Sequence, residues 1–170
     1  MEELVILSRQ AILTGGYASF MARKAAPDRI RPFTEEDVRN VRKEFEQDES
    51  GTYFLDLEGR RHEVRLGRCL VIGVSAEDRR TTSPEKVDRY RYPVSPADEE
   101  GFRQYQLKEP RLLICFDIPH SFLLDNENGA ALWQCRCSTG GYVVWDGQPT
   151  SVLRVIQRSI FGQTYEKMAV

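Results

Sequence analysis

The sequence predicts an α+β fold: a largely antiparallel sheet of about five to six strands, with N-terminal and C-terminal helices packed on one face. Three observations carry this. Residues 53–66 alternate with period two on both sides of a turn containing Gly59, the pattern of a hairpin with one wet face. Residues 69–74 and 111–118 are apolar on both faces and read as central strands, covered on two sides. Helical spacing occurs mainly before and after these strands, and no strand–helix–strand alternation runs through the chain.

Length and composition agree. A chain of 170 residues with 41% apolar and 29% charged content suits one globular domain, 1–170, with a core of its own. No apolar run approaches the ~20 residues of a membrane-spanning helix. The first nine residues have no basic lead and too short an apolar stretch for a signal peptide, which predicts a cytoplasmic protein. Four cysteines without framework spacing fit a reducing compartment.

The elements follow in order. Residues 3–25 read as helix, with Leu4, Leu7, Ala11 and Ile12 on one stripe and a break at Gly15-Gly16. Thr34-Glu35-Glu36-Asp37 resembles a capping box, and it starts a helix through Val38, Val41 and Phe45 that Ser50-Gly51 ends. The hairpin and the first central strand come next. Residues 76–110 are polar and hold Pro84, Pro93, Pro96 and Pro110, which predicts a long Arg/Tyr/Pro-rich loop with a short helix over 96–105. After the second central strand, residues 131–137 and 142–145 read as a hairpin that sets Trp133 opposite Trp145. Pro149-Thr150-Ser151 then caps a final helix whose apolar face includes Val152, Val155, Ile156, Ile160 and Phe161.

Charge narrows the function classes. The net charge is −2, so no general field draws the chain to nucleic acid. The cations are nevertheless 19 Arg against 5 Lys, and arginine makes planar, forked contacts that lysine cannot. Arg79-Arg80 and Arg89-Tyr90-Arg91-Tyr92 interleave cations with aromatics in the 76–110 loop. These six residues are the candidate binding set, because Tyr and Arg are enriched at protein–protein hot spots. The leading expectation is a macromolecular binding protein, such as an accessory subunit, inhibitor or adaptor, that meets a protein partner through this loop. The alternative is nucleic-acid binding by the loop together with Arg60, Arg61 and Arg65.

A third reading is a small hydrolase or nuclease. Asp117 ends a buried strand, Pro119 stops it, and His120 follows, so His120 is a candidate base with Asp117 to orient it. Asp56, Glu58 and Glu63 are carboxylates expected on the outer face of the first hairpin, where charge pairing with Arg61 and Arg65 competes with metal binding. Cys135 and Cys137 are two apart and would share a strand face. Cys69 and Cys115, with His62 or His120 as substitutes, would be needed to complete a metal site. No Cys-x-x-Cys knuckle is present, and no cofactor is expected.

Overall fold

The computed structural model describes residues 4–39, 41, 44–125, 133–135 and 139–168; of Trp133 and Gln134 it describes the backbone. The chain opens with β1 (Val5–Ser8), α1 (Arg9–Thr14) and β2 (Ser19–Lys24). Then come β3 (Asp28–Pro32), α2 (Glu35–Arg39), β4 (Glu46–Asp48), β5 (Gly51–Leu55) and β6 (Arg61–Glu63). Next are β7 (Cys69–Ile72), β8 (Arg79–Thr82), α3 (Pro84–Tyr90), β9 (Arg91–Pro93) and β10 (Arg103–Leu107). The last are β11 (Leu113–Ile118), β12 (Phe122–Asp125), β13 (Trp133–Cys135), β14 (Gly141–Trp145), β15 (Arg154–Gln157), α4 (Arg158–Thr164) and β16 (Tyr165–Lys167). They form two compact units, one of residues 1–25 and 110–170 and one of residues 26–109.

The architecture corrects the predicted class. Strand dominates, and among the described residues four helices of five to seven residues accompany sixteen strands. These strands make four sheets, not one sheet with terminal helices on a face. The terminal helices fail for a physical reason. In 19–24 the chain alternates, with Ala22 buried and Met21 and Arg23 exposed, so its apolar residues follow period two and not 3.6. Near the other terminus Val155 is buried between an exposed Arg154 and a half-buried Ile156, again as strand. Only six or seven residues stay helical at each end, too few to be stable without packing. Phe161 of α4 supplies it, stacking on Tyr165 at 5.0 Å and meeting Tyr142 at 4.1 Å.

In the first unit the sheet β15-β14-β11-β2-β16 puts β11 at its centre, as residues 111–118 predict. Phe116, Ile118 and Val143 are buried on one face, and Leu113, Cys115 and Val144 on the other. A second sheet runs β1-β12-β13, with β1 parallel to β12. The described residues of the predicted hairpin's two arms, 131–137 and 142–145, pair elsewhere: β13 pairs with β12, while β14 pairs with β11 and β15. Trp145 donates its indole N–H to the Gln148 carbonyl at 2.8 Å. The Trp133 side chain lies outside the described residues.

In the second unit β7 is internal to β8-β7-β3-β10-β9, again as predicted, with Cys69, Leu70 and Val71 buried. The hairpin is also found, with Phe54 opposite His62 and Leu55 opposite Arg61. On β5 the buried face is the reverse of the expected one, whereas after the turn Val64 is buried and Glu63 and Arg65 are exposed, as expected. Phe54 turns inward to join Phe33, Phe45, Val64, Leu70 and Phe102, and Leu55 is 51% exposed. Helix α2 has the expected cap, with Thr34 Oγ1 accepting the Asp37 N–H and Asp37 accepting the Thr34 N–H. Its described residues are Glu35–Arg39, and Glu46–Asp48 pairs with β5 across the Glu49-Ser50 turn where the sequence predicts more helix. The expected 76–110 loop holds β8, α3, β9 and β10. Ser83 and Pro84 start the helix there, whereas Asp98 accepts the N–H groups of Glu100 and Phe102 and folds 96–102 into a turn.

Candidate functional site

The six binding candidates divide by side. In β9, Arg91 turns into the unit and Tyr92 turns out, because successive strand residues face opposite ways. Tyr90, Tyr92 and Val94 are 44%, 47% and 47% exposed. The Arg89 guanidinium lies 5.3 Å from the centre of the Tyr90 ring. Arg79 is scaffold: its guanidinium stands 4.6 Å from the Phe54 ring, and burial lowers its affinity for the proton.

Arg80 and Arg91 meet at Asp28, the first residue of β3. Arg80 Nη2 lies 3.2 Å and Arg91 Nε 3.4 Å from the same Asp28 oxygen, Oδ2. The Asp28 side chain is 2% exposed, Arg91 13% and Arg80 38%. Arg91 Nε is buried and forms no hydrogen bond of normal geometry. Burial pushes the Arg91 pKa down, Asp28 opposes that, and the like charge of Arg80 adds to it. Asp28 has no signal in the sequence beyond being one acid in the run Asp28-Arg29-Ile30-Arg31.

Of the hairpin acids, Asp56 is paired and recessed, and Glu63 is exposed. Asp56 reaches His62 Nε2 at 2.8 Å, with side chains 12% and 14% exposed. The other His62 nitrogen lies 3.5 Å from Thr81 Oγ1, and the ring stacks on Phe54. Asp56 also accepts the N–H groups of Glu58 and Arg60, which closes the hairpin turn. Glu58 is pushed up to about 7, first by burial and then by the neighbouring Asp56 and Asp78 charges. Arg61 is bound to Asp48 at 2.7 Å and lies over the Tyr53 ring. Arg60 and Arg65 are exposed.

Asp117 and His120 do not form a pair. Asp117 accepts from Arg158 Nη2 at 2.6 Å, and Arg158 also binds Tyr142 OH and the Thr139 carbonyl. His120 Nδ1 bonds the Ser121 carbonyl. A strand-end acid close in sequence to a histidine is here one end of a salt bridge. Cys135 is buried and donates to Gln157 Oε1, while Cys137 lies outside the described residues. Burial raises the Cys69 thiol, and raises Cys115 to about 11. Among the described residues no group of three or more His, Cys, Asp or Glu side chains is placed to hold a metal ion, and no helix is long and apolar enough to cross a membrane.

Comparison with protein-family models, with curated proteins and with solved structures finds no match. The reading of function therefore rests on the chemistry of the protein's own side chains.

Proposed function

We propose that this protein works by binding a protein partner through Arg89, Tyr90, Tyr92 and Val94. The observation that carries the reading is the exposure of three large side chains in five residues at the edge of a sheet. Tyrosine and arginine give large contact area together with polar tips, the usual content of an interface centre.

The mode of contact follows from the backbone. The Lys108 N–H bonds the Tyr90 carbonyl and the Val94 N–H bonds the Gln104 carbonyl, so residues 90, 92 and 94 spend their backbone groups on β10. Arg91 and Pro93 face the open edge. The Arg91 N–H is taken by the Val87 carbonyl, and Pro93 has none. An edge without donors resists strand addition, so the partner meets side chains and not the backbone.

The test is affinity purification from the native source with wild type and the Tyr90→Ala/Tyr92→Ala variant. A stoichiometric protein partner lost in the variant, at unchanged melting temperature, supports the reading. A partner kept by the variant overturns it.

A further inference from the structure

We infer that Arg80 and Arg91 form a binding site for a phosphate-type oxyanion, as free phosphate or as the monoester of a small molecule. The inference is independent of partner binding by Tyr90 and Tyr92, which face the other way.

The argument starts from donor counts. A guanidinium carries five N–H donors in a planar fork and keeps its charge at any physiological pH. Arg80 and Arg91 each direct one nitrogen at Asp28 Oδ2 and make no other hydrogen bond or ion pair among the described residues. Most of the donors are thus left over. Two positive charges share one carboxylate oxygen, and Arg91 is held there with little solvent to screen it. Like charges gathered at a recessed position repel, and a buried Nε without a good acceptor costs free energy.

An oxyanion relieves both costs. Two or three oxygens on one centre accept several N–H groups at once, and the charge complements the excess cation. Asp28 fixes the arginines in advance, so binding orders few side chains. Arg80 is the more exposed of the two and marks the entrance. The recess favours one anionic group over a continuous polyanion backbone: at 13% exposure Arg91 is reachable by a single terminal phosphate. Carboxylate ligands fit less well, since two oxygens leave more donors unused.

The experiment is calorimetric titration of the full chain with sodium phosphate, and separately with glycerol 3-phosphate, in chloride-matched buffer. Wild type, Arg80→Met, Arg91→Met and Arg154→Gln are compared, with melting curves taken before titration. The site predicts saturable binding that falls at least tenfold in Arg80→Met and Arg91→Met and is unchanged in Arg154→Gln. Tighter binding of the ester identifies a small phosphomonoester as the ligand, and tighter binding of phosphate identifies the free ion. Absence of saturable binding to both probes overturns the inference, and so does equal binding by all four proteins. If Arg91→Met does not fold, Arg80→Met decides alone, because its side chain is the more exposed.

Discussion

Two arginine–carboxylate clusters sit on strand β3 three residues apart, and they are built on opposite plans. Arg31 meets Asp37 through both prongs of its fork. Its Nη1 donates to Oδ2 at 2.5 Å and its Nη2 to Oδ1 at 3.2 Å, and Nη1 also reaches the Pro32 carbonyl. Burial pushes the Asp37 carboxyl up, but the bonds from Arg31 and Thr34 outweigh it and hold the pKa below its ordinary value. Asp28 instead faces two arginines that reach it through one oxygen. The first cluster closes on itself and anchors helix α2, which is five residues long. The second leaves donors open. A closed ion pair is part of the scaffold, whereas an under-used one is chemistry held ready for a ligand.

That contrast is exposed first to its largest consequence. Arg31→Met strands the fully buried Asp37 without its cation, and unfolding in urea should show a loss of about 3–5 kcal/mol. A loss under about 1 kcal/mol would show that the closed pair is not the anchor. Glu58 gives the next effect, in the same unit. Its carboxyl binds its proton more tightly folded, with a pKa of about 7 against an ordinary 4.5. Stability from this group is therefore withdrawn as the pH rises from 4.5 to about 7, and the whole penalty stands above that. Glu58→Gln should stabilise the protein on the order of 1 kcal/mol at about pH 8, after allowance for solvent screening, and hardly at all at about pH 4.5. Equal gains at both values would refute the assignment to ionisation.

Arg91→Met in phosphate-free buffer should cost less than about 1 kcal/mol, because Asp28 keeps Arg80 and the charge removed was in excess. A cost equal to that of Arg31→Met would erase the distinction between the clusters. The smallest effect belongs to the outward side of β9. Tyr90→Ala/Tyr92→Ala should move the melting temperature by no more than an exposed double substitution does, within about 0.5 kcal/mol per site. A large drop would make those rings core residues and remove the proposed contact surface.

Local patterns are legible in the residues themselves. Period two in 53–66, two-faced apolarity in 69–74 and 111–118, and the Thr34–Asp37 cap each depend on neighbours in sequence, and each is found. The sequence misleads where the deciding contact is distant. Whether Phe54 or Leu55 faces inward is set by Phe33, Phe45 and Phe102, not by the hairpin. Whether 19–24 is helix or strand is settled by pairing with β11 and β16, more than ninety residues further along.

The site follows the same division. Its arginines and tyrosines are visible in the sequence as a cluster of types, and their exposure is not. By itself the sequence determined the strand periods of 53–66, 69–74 and 111–118, the Thr34–Asp37 cap and the surplus of arginine, but not the Pro149-Thr150-Ser151 cap, which precedes strand β15 and no helix. Only the tertiary structure separated Arg91 from Tyr92 on opposite sides of one strand, withdrew Asp117 into a bond with Arg158, and brought Asp28 to Arg80 and Arg91 from fifty and more residues away. Backbone preferences act over a few residues, whereas charges and rings are paired by whichever strands the fold lays side by side.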